Sequence, residues 1–326
     1  MRKIAKKAGE VNSFAGIYRK CNSGTMAEKQ ANPRPFPLLL DLELTNTCNL
    51  HCVMCPTGQG TVKRPKGYMS PTLFGVILKE AAKYGAALRF VRWGEPFLHP
   101  QCLAFCKLAR QVNVPVWINT NGTLLIDDDK IIDQLAHLGY GPSAIKFSFQ
   151  GVTLEQYRKW RKNDYYPKIL QVILDLYKRR GSFRTPFIQI GTTITDESTT
   201  EEVSIFKTFA EKICDKVEIG RTQEIPYTRQ CGLLPCPEVF DKLSINWDGM
   251  VVACCADYDN EMVVGDLAKS SLKNIWDFSP ELREIRADLA AGRRNKYRLC
   301  GGNSYDAGNS KADASRSGQV LCPSKK

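Results

Sequence analysis

Three closely spaced cysteines are the densest group of reactive side chains in this 326-residue chain. Cys48, Cys52 and Cys55 follow the spacing C-x3-C-x2-C. Three thiolates from one short loop can hold three corners of a cubane iron–sulfur cluster, which leaves the fourth iron able to bind another molecule. Structural zinc is the alternative, but such sites use a fourth Cys or His, usually from paired C-x2-C elements. His51 lies inside the triplet, where it is sterically poor as that ligand.

The segments around this loop alternate between strands and helices. We predict strands over Leu38–Leu44, Ala87–Arg92, Pro115–Asn119, Ile145–Phe149, Phe187–Thr193 and Lys216–Ile219. Helices are predicted over 70–84, 100–112, 127–138, 153–180 with a break near Pro167, and 199–213. Six such units imply a parallel sheet with right-handed crossovers, either doubly wound or a partial barrel. The cysteine loop then lies at the carboxyl end of the first strand, where such sheets have their active sites.

The cysteine motif and its position resemble those of the radical S-adenosylmethionine (SAM) superfamily. Gly94-Glu95-Pro96 after the second strand looks like the motif that binds the SAM ammonium group, although Trp93 stands where a second glycine is usual. The resemblance covers residues 37–225. It implies a partial (β/α)6 TIM-like barrel and a [4Fe–4S] cluster on Cys48, Cys52 and Cys55, with SAM on the open iron. The SAM-binding positions that it implies are Gly94, Glu95, Pro96, Asn119, Ser148, Gln150 and Thr192.

A second cysteine pattern begins at Cys236. It reads C-x12-G-x4-C and ends at Cys254, and Asp248-Gly249 between apolar residues predicts a hairpin that brings the two cysteines together. The pattern resembles the opening of the SPASM and twitch auxiliary-cluster domains. Six cysteines lie beyond residue 225, so one cluster with four cysteine ligands leaves too few for a second. We expect one auxiliary [4Fe–4S] cluster on Cys236 and Cys254, or three ligands and an open iron that binds substrate; the competitors for the remaining places are Cys300, Cys322 and Cys231.

Cys255 is left over beside a predicted ligand. A free cysteine is most often buried and inert. The other reading, which we adopt as a hypothesis, is a catalytic thiol. A weak S–H bond can return a hydrogen atom to a carbon radical, as some sugar epimerases that this sequence resembles require.

Charge and composition suggest three regions and a soluble protein. The net charge is +12, of which residues 1–36 carry +6 and residues 281–326 carry +5. Basic residues therefore concentrate in the tails, and we expect no nucleic-acid partner. We predict a basic, mobile or loosely packed N-terminal arm (1–36), a radical SAM core (37–225) and an auxiliary cluster domain of α+β character (226–326). The sequence has no transmembrane run or secretory signal, so we expect a cytoplasmic enzyme with reduced thiols.

The resemblance implies a radical SAM oxidoreductase or epimerase that takes electrons from flavodoxin or ferredoxin. A 5′-deoxyadenosyl radical would abstract hydrogen from a sugar, an aminocyclitol or a nucleotide sugar, and dehydrogenation or epimerisation would follow. Modification of a ribosomal precursor peptide ranks second, because only 36 residues precede the predicted barrel. A non-catalytic iron–sulfur electron carrier is the alternative from another class, and a nucleic-acid-modifying radical enzyme would be indicated only by the basic tails.

Overall fold

A single mixed sheet runs through the described part of the chain in this computed structural model. The structure describes residues 14–137, 141–195, 197–221, 236 and 238–301. Within these ranges nine strands form one sheet in the order β6-β5-β4-β3-β2-β1-β7-β8-β9. The first six are β1 (Leu39–Leu42), β2 (Ala87–Phe90), β3 (Val116–Thr120), β4 (Ala144–Ser148), β5 (Phe187–Ile194) and β6 (Lys216–Arg221).

Strands β1 to β6 are parallel to their neighbours, as the alternation of elements predicted. All four residues of β1 are buried, which is typical of a strand covered on both faces. The helices of this region are α3 (Pro71–Tyr84), α4 (Cys102–Gln111), α5 (Asp129–Ala136), α6 (Leu154–Arg161), α7 (Tyr166–Arg180) and α8 (Thr200–Ala210). The architecture is a partial TIM-like barrel.

Local signals set the ends of these helices. Ser70 caps α3, where its hydroxyl accepts the Leu73 N–H at 3.1 Å, and Pro71 occupies the first helical position. The predicted helix over 153–180 is divided into α6 and α7. Lys162 ends α6 with a φ of 59°, and Pro167 lies in the first turn of α7, where its missing N–H costs nothing.

The C-terminal region adds the hairpin that Asp248-Gly249 predicted. It contains β7 (Lys242–Ile245), β8 (Met250–Val252) and β9 (Val263–Asp266), and Gly249 has a φ of 92° in the turn. Strand β7 pairs in parallel with β1, so the hairpin continues the barrel sheet. Helices α9 (Leu272–Phe278), α10 (Pro280–Ala290) and α11 (Arg298–Gly301) follow. The predicted boundary near residue 225 lies outside the described residues.

The expectation of a loosely packed N-terminal arm is wrong for residues 14–36. They form α1 (Phe14–Cys21) and α2 (Met26–Ala31), and Phe14 is fully buried with its ring 5.4 Å from that of Trp117. Phe14, Tyr18 and Cys21 share one face of α1, and this short stripe is packed into the barrel. Among the described helices, none has the length and apolar character needed to cross a membrane.

Candidate functional site

The loop of Cys48, Cys52 and Cys55 leaves the carboxyl end of β1 and folds back on itself. A Cβ added at Gly58 would lie 2.6 Å from the Cys52 backbone nitrogen, so the two parts of the loop are in direct contact. The Val53 N–H donates to the Trp160 carbonyl at 3.0 Å, which fixes the loop to the end of α6. These contacts fold the loop on itself and join it to the helix that follows β4.

Two N–H donors from neighbouring elements face the sulfur atoms of this loop. Asn121 Nδ2 lies 3.8 Å from Cys48 Sγ, and Arg161 Nη1 lies 3.7 Å from Cys52 Sγ. Burial raises the pKa of Cys48 to about 11 and also raises that of Cys52. Free thiols here therefore hold their protons, whereas a bound metal displaces them and the two donors stabilise the resulting thiolate charge. The surroundings of Cys48 and Cys52 thus suit thiolate ligands of the iron–sulfur cluster predicted for this loop.

The segment Gly94-Glu95-Pro96 packs directly against the chain leaving β1. A Cβ on Gly94 would lie 2.0 Å from the Thr45 carbonyl oxygen, so this position has room only for glycine. The Glu95 carboxylate is buried and accepts from Thr120 Oγ1 at 2.7 Å and from the Asn121 N–H at 2.8 Å. Burial raises the Glu95 pKa, and these donors oppose the rise. The Glu95 side chain therefore joins the loops after β2 and β3, and Pro96 begins a short 3-10 turn.

The other predicted SAM-binding positions lie at the carboxyl ends of β3, β4 and β5. The Ser148 carbonyl accepts from Arg161 Nη2 at 2.8 Å, which brings β4 close to the cysteine loop. Asn119 accepts from Trp117 Nε1 at 2.6 Å, Gln150 donates to the Thr193 hydroxyl, and the Thr192 hydroxyl donates to the Gly151 carbonyl. Asn119, Gln150 and Thr192 thus form hydrogen bonds with neighbouring strand and loop residues. The residue of this region whose side chain contacts a cysteine of the loop is Asn121, which lies beside Cys48.

A second group of cysteines surrounds a cavity of about 260 Å³ at the junction of the barrel and the hairpin. Cys236 precedes β7, Cys254 and Cys255 follow β8, and Cys300 lies in α11. Trp93, the residue before Gly94, lines the same cavity. Three predicted auxiliary-cluster ligands, Cys236, Cys254 and Cys300, thus line one cavity together with Cys255, and thiolates are the ligands that such a cluster needs. Cys231 and Cys322 lie outside the described residues.

Charged side chains also line this cavity. The Arg89 guanidinium pairs with the Asp41 carboxylate through two nitrogens. Burial would raise the Glu238 pKa, but the Lys242 ammonium at 2.9 Å lowers it to about 2. Contact between the two adjacent thiols lowers the pKa of Cys254 and raises that of Cys255. The cavity therefore combines a mostly apolar lining with a few paired charges and the cysteine thiols.

Comparison with known proteins accounts for both cysteine groups. A family model of the radical SAM superfamily matches residues 42–203, and a model of the SPASM iron–sulfur cluster-binding domain matches residues 236–302. The chain belongs to the radical SAM superfamily. Its cofactors are accordingly a [4Fe–4S] cluster, SAM and an auxiliary iron–sulfur cluster in the SPASM domain.

Relatives of known name share parts of this radical SAM chain. The AdoMet-dependent heme synthase of Methanosarcina barkeri is 30% identical over 125 residues, which are 38% of this chain and 34% of that protein. The chain matches less than half the length of the curated relatives, between 28% and 43%.

Two solved structures share the fold at low sequence identity. BtrN in complex with AdoMet and 2-DOIA has a TM-score of 0.55 at 17% identity, over 82% of this chain and 92% of BtrN. Streptococcus suis SuiB bound to its precursor peptide SuiA has a TM-score of 0.58 at 15% identity, over 88% of this chain and 75% of SuiB. Both likenesses show the fold alone.

Three residues that contact the two cysteine-bearing loops were missed by sequence reasoning. Asn121 lies in the Asn-Thr-Asn-Gly segment at the end of β3. Its position two residues after the predicted Asn119 was the signal that could have pointed to it. Arg92 lies two residues before Gly94, and its contacts run to a distant loop. Arg161 gave no signal, because it is one of several basic residues in α6. Arg158 of the same helix is 56% exposed at its side chain, whereas Arg161 is buried, and the sequence does not distinguish the two.

Proposed function

We propose that this radical SAM enzyme abstracts hydrogen from a polar small molecule, such as a sugar, an aminocyclitol or a nucleotide sugar. The cavity that joins the C-terminal cysteines to Trp93 carries the proposal, because the predicted auxiliary-cluster ligands and the residue that precedes Gly94 both border it. Its volume of about 260 Å³ suits a small ligand, and the paired side chains of Arg89, Asp41 and Glu238 supply polar groups within a mostly apolar lining. We expect the reaction to end in dehydrogenation or epimerisation, in the cytoplasm, with electrons from flavodoxin or ferredoxin.

The chain's own residues prepare this chemistry by orientation and charge. When bound, the cofactors supply a 5′-deoxyadenosyl radical and an electron acceptor. Asn121 and Arg161 direct N–H groups at the cysteine sulfurs, and Glu95 holds the loops after β2 and β3 in register. Such fixed dipoles and loops keep reacting groups oriented and exclude water.

Cys255 distinguishes the two outcomes. If its S–H bond breaks and the hydrogen atom joins the substrate radical from the opposite face, the product is the epimer. If the substrate radical instead loses one electron and one proton, the product is a carbonyl or an imine. Cys255 lines the cavity beside Cys254, which supports the first route, while the neighbouring auxiliary site supports the second.

The test is an anaerobic assay of reduced enzyme with SAM and a panel of sugars, aminocyclitols and nucleotide sugars carrying deuterium on carbon. We expect one compound class to transfer deuterium into 5′-deoxyadenosine. Cys255→Ser should then abolish solvent hydrogen incorporation if the product is an epimer, and leave product formation intact if it is oxidised. Deuterium transfer from no compound of the panel would contradict the proposal.

Peptide modification is a second candidate. The fold shared with SuiB bound to a precursor peptide favours it. The same deuterium assay with a deuterated candidate peptide separates the two substrate classes, because only the true substrate labels 5′-deoxyadenosine.

A further inference from the structure

Arg92 connects the SAM motif with the loop that carries Cys254 and Cys255. We define the auxiliary loop as residues 254–260, which follow β8. Arg92 Nη1 donates to the carbonyl oxygens of Cys254 and Cys255 at 3.3 and 3.4 Å. Its Nη2 donates to Asn246 Oδ1 at 2.9 Å and to the Asp257 carbonyl. One guanidinium two residues before Gly94 thus binds three carbonyls of the auxiliary loop.

The opposite side of the auxiliary loop is bound by the segment that follows the N-terminal cysteine loop. Arg64 Nε donates to the Tyr258 carbonyl at 2.7 Å, and its other nitrogens bind both oxygens of the buried Glu43 carboxylate at 2.8 Å. The Lys63 N–H donates to Asp259 Oδ1 at 2.7 Å. The auxiliary loop is therefore bound on both sides by chain segments that follow β1 and β2.

The backbone at Arg92 is unusual. Its φ of 147° lies where L residues are rarely found, and a glycine would adopt it without strain. Residues in such conformations persist where surrounding contacts fix them, and they concentrate at functional sites. Here the contacts are the guanidinium bonds to the auxiliary loop, which glycine could not make. Arg92 Nε is also buried and lacks a partner within the described residues, and Arg92 lines the four-cysteine cavity.

We propose that Arg92 is a positioning residue that couples the auxiliary cluster to the SAM site. It sets the place of the auxiliary loop relative to Gly94-Glu95-Pro96, and its positive charge lies beside the backbone of Cys254 and Cys255. A nearby cation stabilises the reduced, more negative cluster and so raises its reduction potential. The inference rests on the cofactor assignment and not on the substrate, so its test uses no substrate and can fail independently of the proposed function.

The test compares Arg92→Lys and Arg92→Gln in the Cys48/Cys52/Cys55→Ala background, where only the auxiliary cluster remains. Arg180→Lys is the control: Arg180 is buried, and like Arg92 it donates to a backbone carbonyl, that of Pro186, and it also pairs with the Asp215 carboxylate. The readouts are iron content and the reduction potential from an EPR-monitored titration. We expect unchanged iron, and a potential that falls from the parent to Arg92→Lys and further to Arg92→Gln, with no shift in Arg180→Lys.

Three results would overturn the inference. The first is a parental potential in Arg92→Gln, and the second is an equal shift in Arg92→Gln and Arg180→Lys. The third is loss of the auxiliary iron from both Arg92 variants, which would assign Arg92 to folding alone. If only Arg92→Gln loses iron, the potential of Arg92→Lys decides.

Coupling to the SAM site has its own measurement in the holoenzyme with all cysteines present. We expect SAM to slow hydrogen exchange at the amides of residues 254–260 in the wild type and in Arg180→Lys, and to have a weaker effect in Arg92→Lys. Equal slowing by SAM in all three proteins would contradict the coupling.

Discussion

The two cysteine groups differ in how the chain assembles them. Cys48, Cys52 and Cys55 come from one loop after β1, so their order in sequence is enough to bring them together. Cys236, Cys254 and Cys300 come from separate segments before β7, after β8 and in α11; the β7–β8 hairpin brings the first two close, and all three line one cavity. The first site therefore depends on local spacing and the second on the tertiary fold.

The surroundings of the two groups differ as well. At the N-terminal loop, Asn121 and Arg161 direct N–H groups at the sulfurs themselves. At the C-terminal cavity, Arg92 binds backbone carbonyls of the cysteine-bearing loop. Substitution of Asn121 or Arg161 should therefore change the environment of the cluster directly. Substitution of Arg92 should act through the position of the loop that carries Cys254 and Cys255.

The largest effect is expected from Cys48/Cys52/Cys55→Ala. It removes every cysteine of the N-terminal loop, so SAM cleavage by dithionite-reduced protein should fall to background. Cys102→Ala/Cys106→Ala is the control, because these cysteines are buried in α4 and belong to neither group. Liquid chromatography of 5′-deoxyadenosine measures the cleavage. Continued cleavage by the triple variant would contradict the assignment of SAM chemistry to the N-terminal loop.

Cys254→Ser should affect only the C-terminal site. We expect a loss of about four irons per chain with SAM cleavage retained, because the N-terminal loop keeps its ligands. Cys21→Ser serves as the control, since Cys21 is buried in α1. Mössbauer spectroscopy of both proteins would measure the cluster content. A full iron complement in Cys254→Ser would remove Cys254 from the ligand set.

Gly94→Ala tests the close approach of the SAM motif to the chain after β1. Its new Cβ meets backbone atoms that cannot move independently, so we expect roughly 1–3 kcal/mol of destabilisation and weaker SAM binding. Gly75→Ala in α3 is the control, because no heavy atom lies within 4 Å of the position that its new Cβ would take. That variant should gain about 0.5–1 kcal/mol. Denaturant unfolding measures both, and equal stabilities would contradict the packing argument.

Arg161→Gln sharpens the contrast between donors to sulfur and donors to backbone. It removes the cation beside Cys52 Sγ, so the potential of the N-terminal cluster should fall and the protein should lose about 1.5–3 kcal/mol. Arg158→Gln on the same helix removes an exposed ion pair with Asp164 and should leave stability nearly unchanged, because solvent screens such pairs. A redox titration with unfolding curves checks both. An unchanged potential in Arg161→Gln would show that its contact with Cys52 has no electrostatic role.

The barrel strands, the split near Pro167 and the Asp-Gly hairpin could be predicted because each follows from local periodicity or turn chemistry. The packing of α1 could not be predicted, because its short apolar stripe is buried by contact with Trp117, which is distant in sequence. The cysteine spacing predicted the N-terminal site, and the resemblance pointed to Cys236 and Cys254. Arg92 and Arg161 act across the fold, on loops far away in sequence, so no spacing rule could find them.

The central claim is that one chain carries two cluster sites, one local and one assembled by the fold. An anaerobic iron and sulfide count on reconstituted wild type and on Cys48/Cys52/Cys55→Ala, paired with a SAM-cleavage assay, tests it most directly. The account predicts about eight irons in the wild type and about four in the variant, with no cleavage in the variant. About four irons in the wild type and none in the variant would contradict the second site and the dehydrogenation route with it.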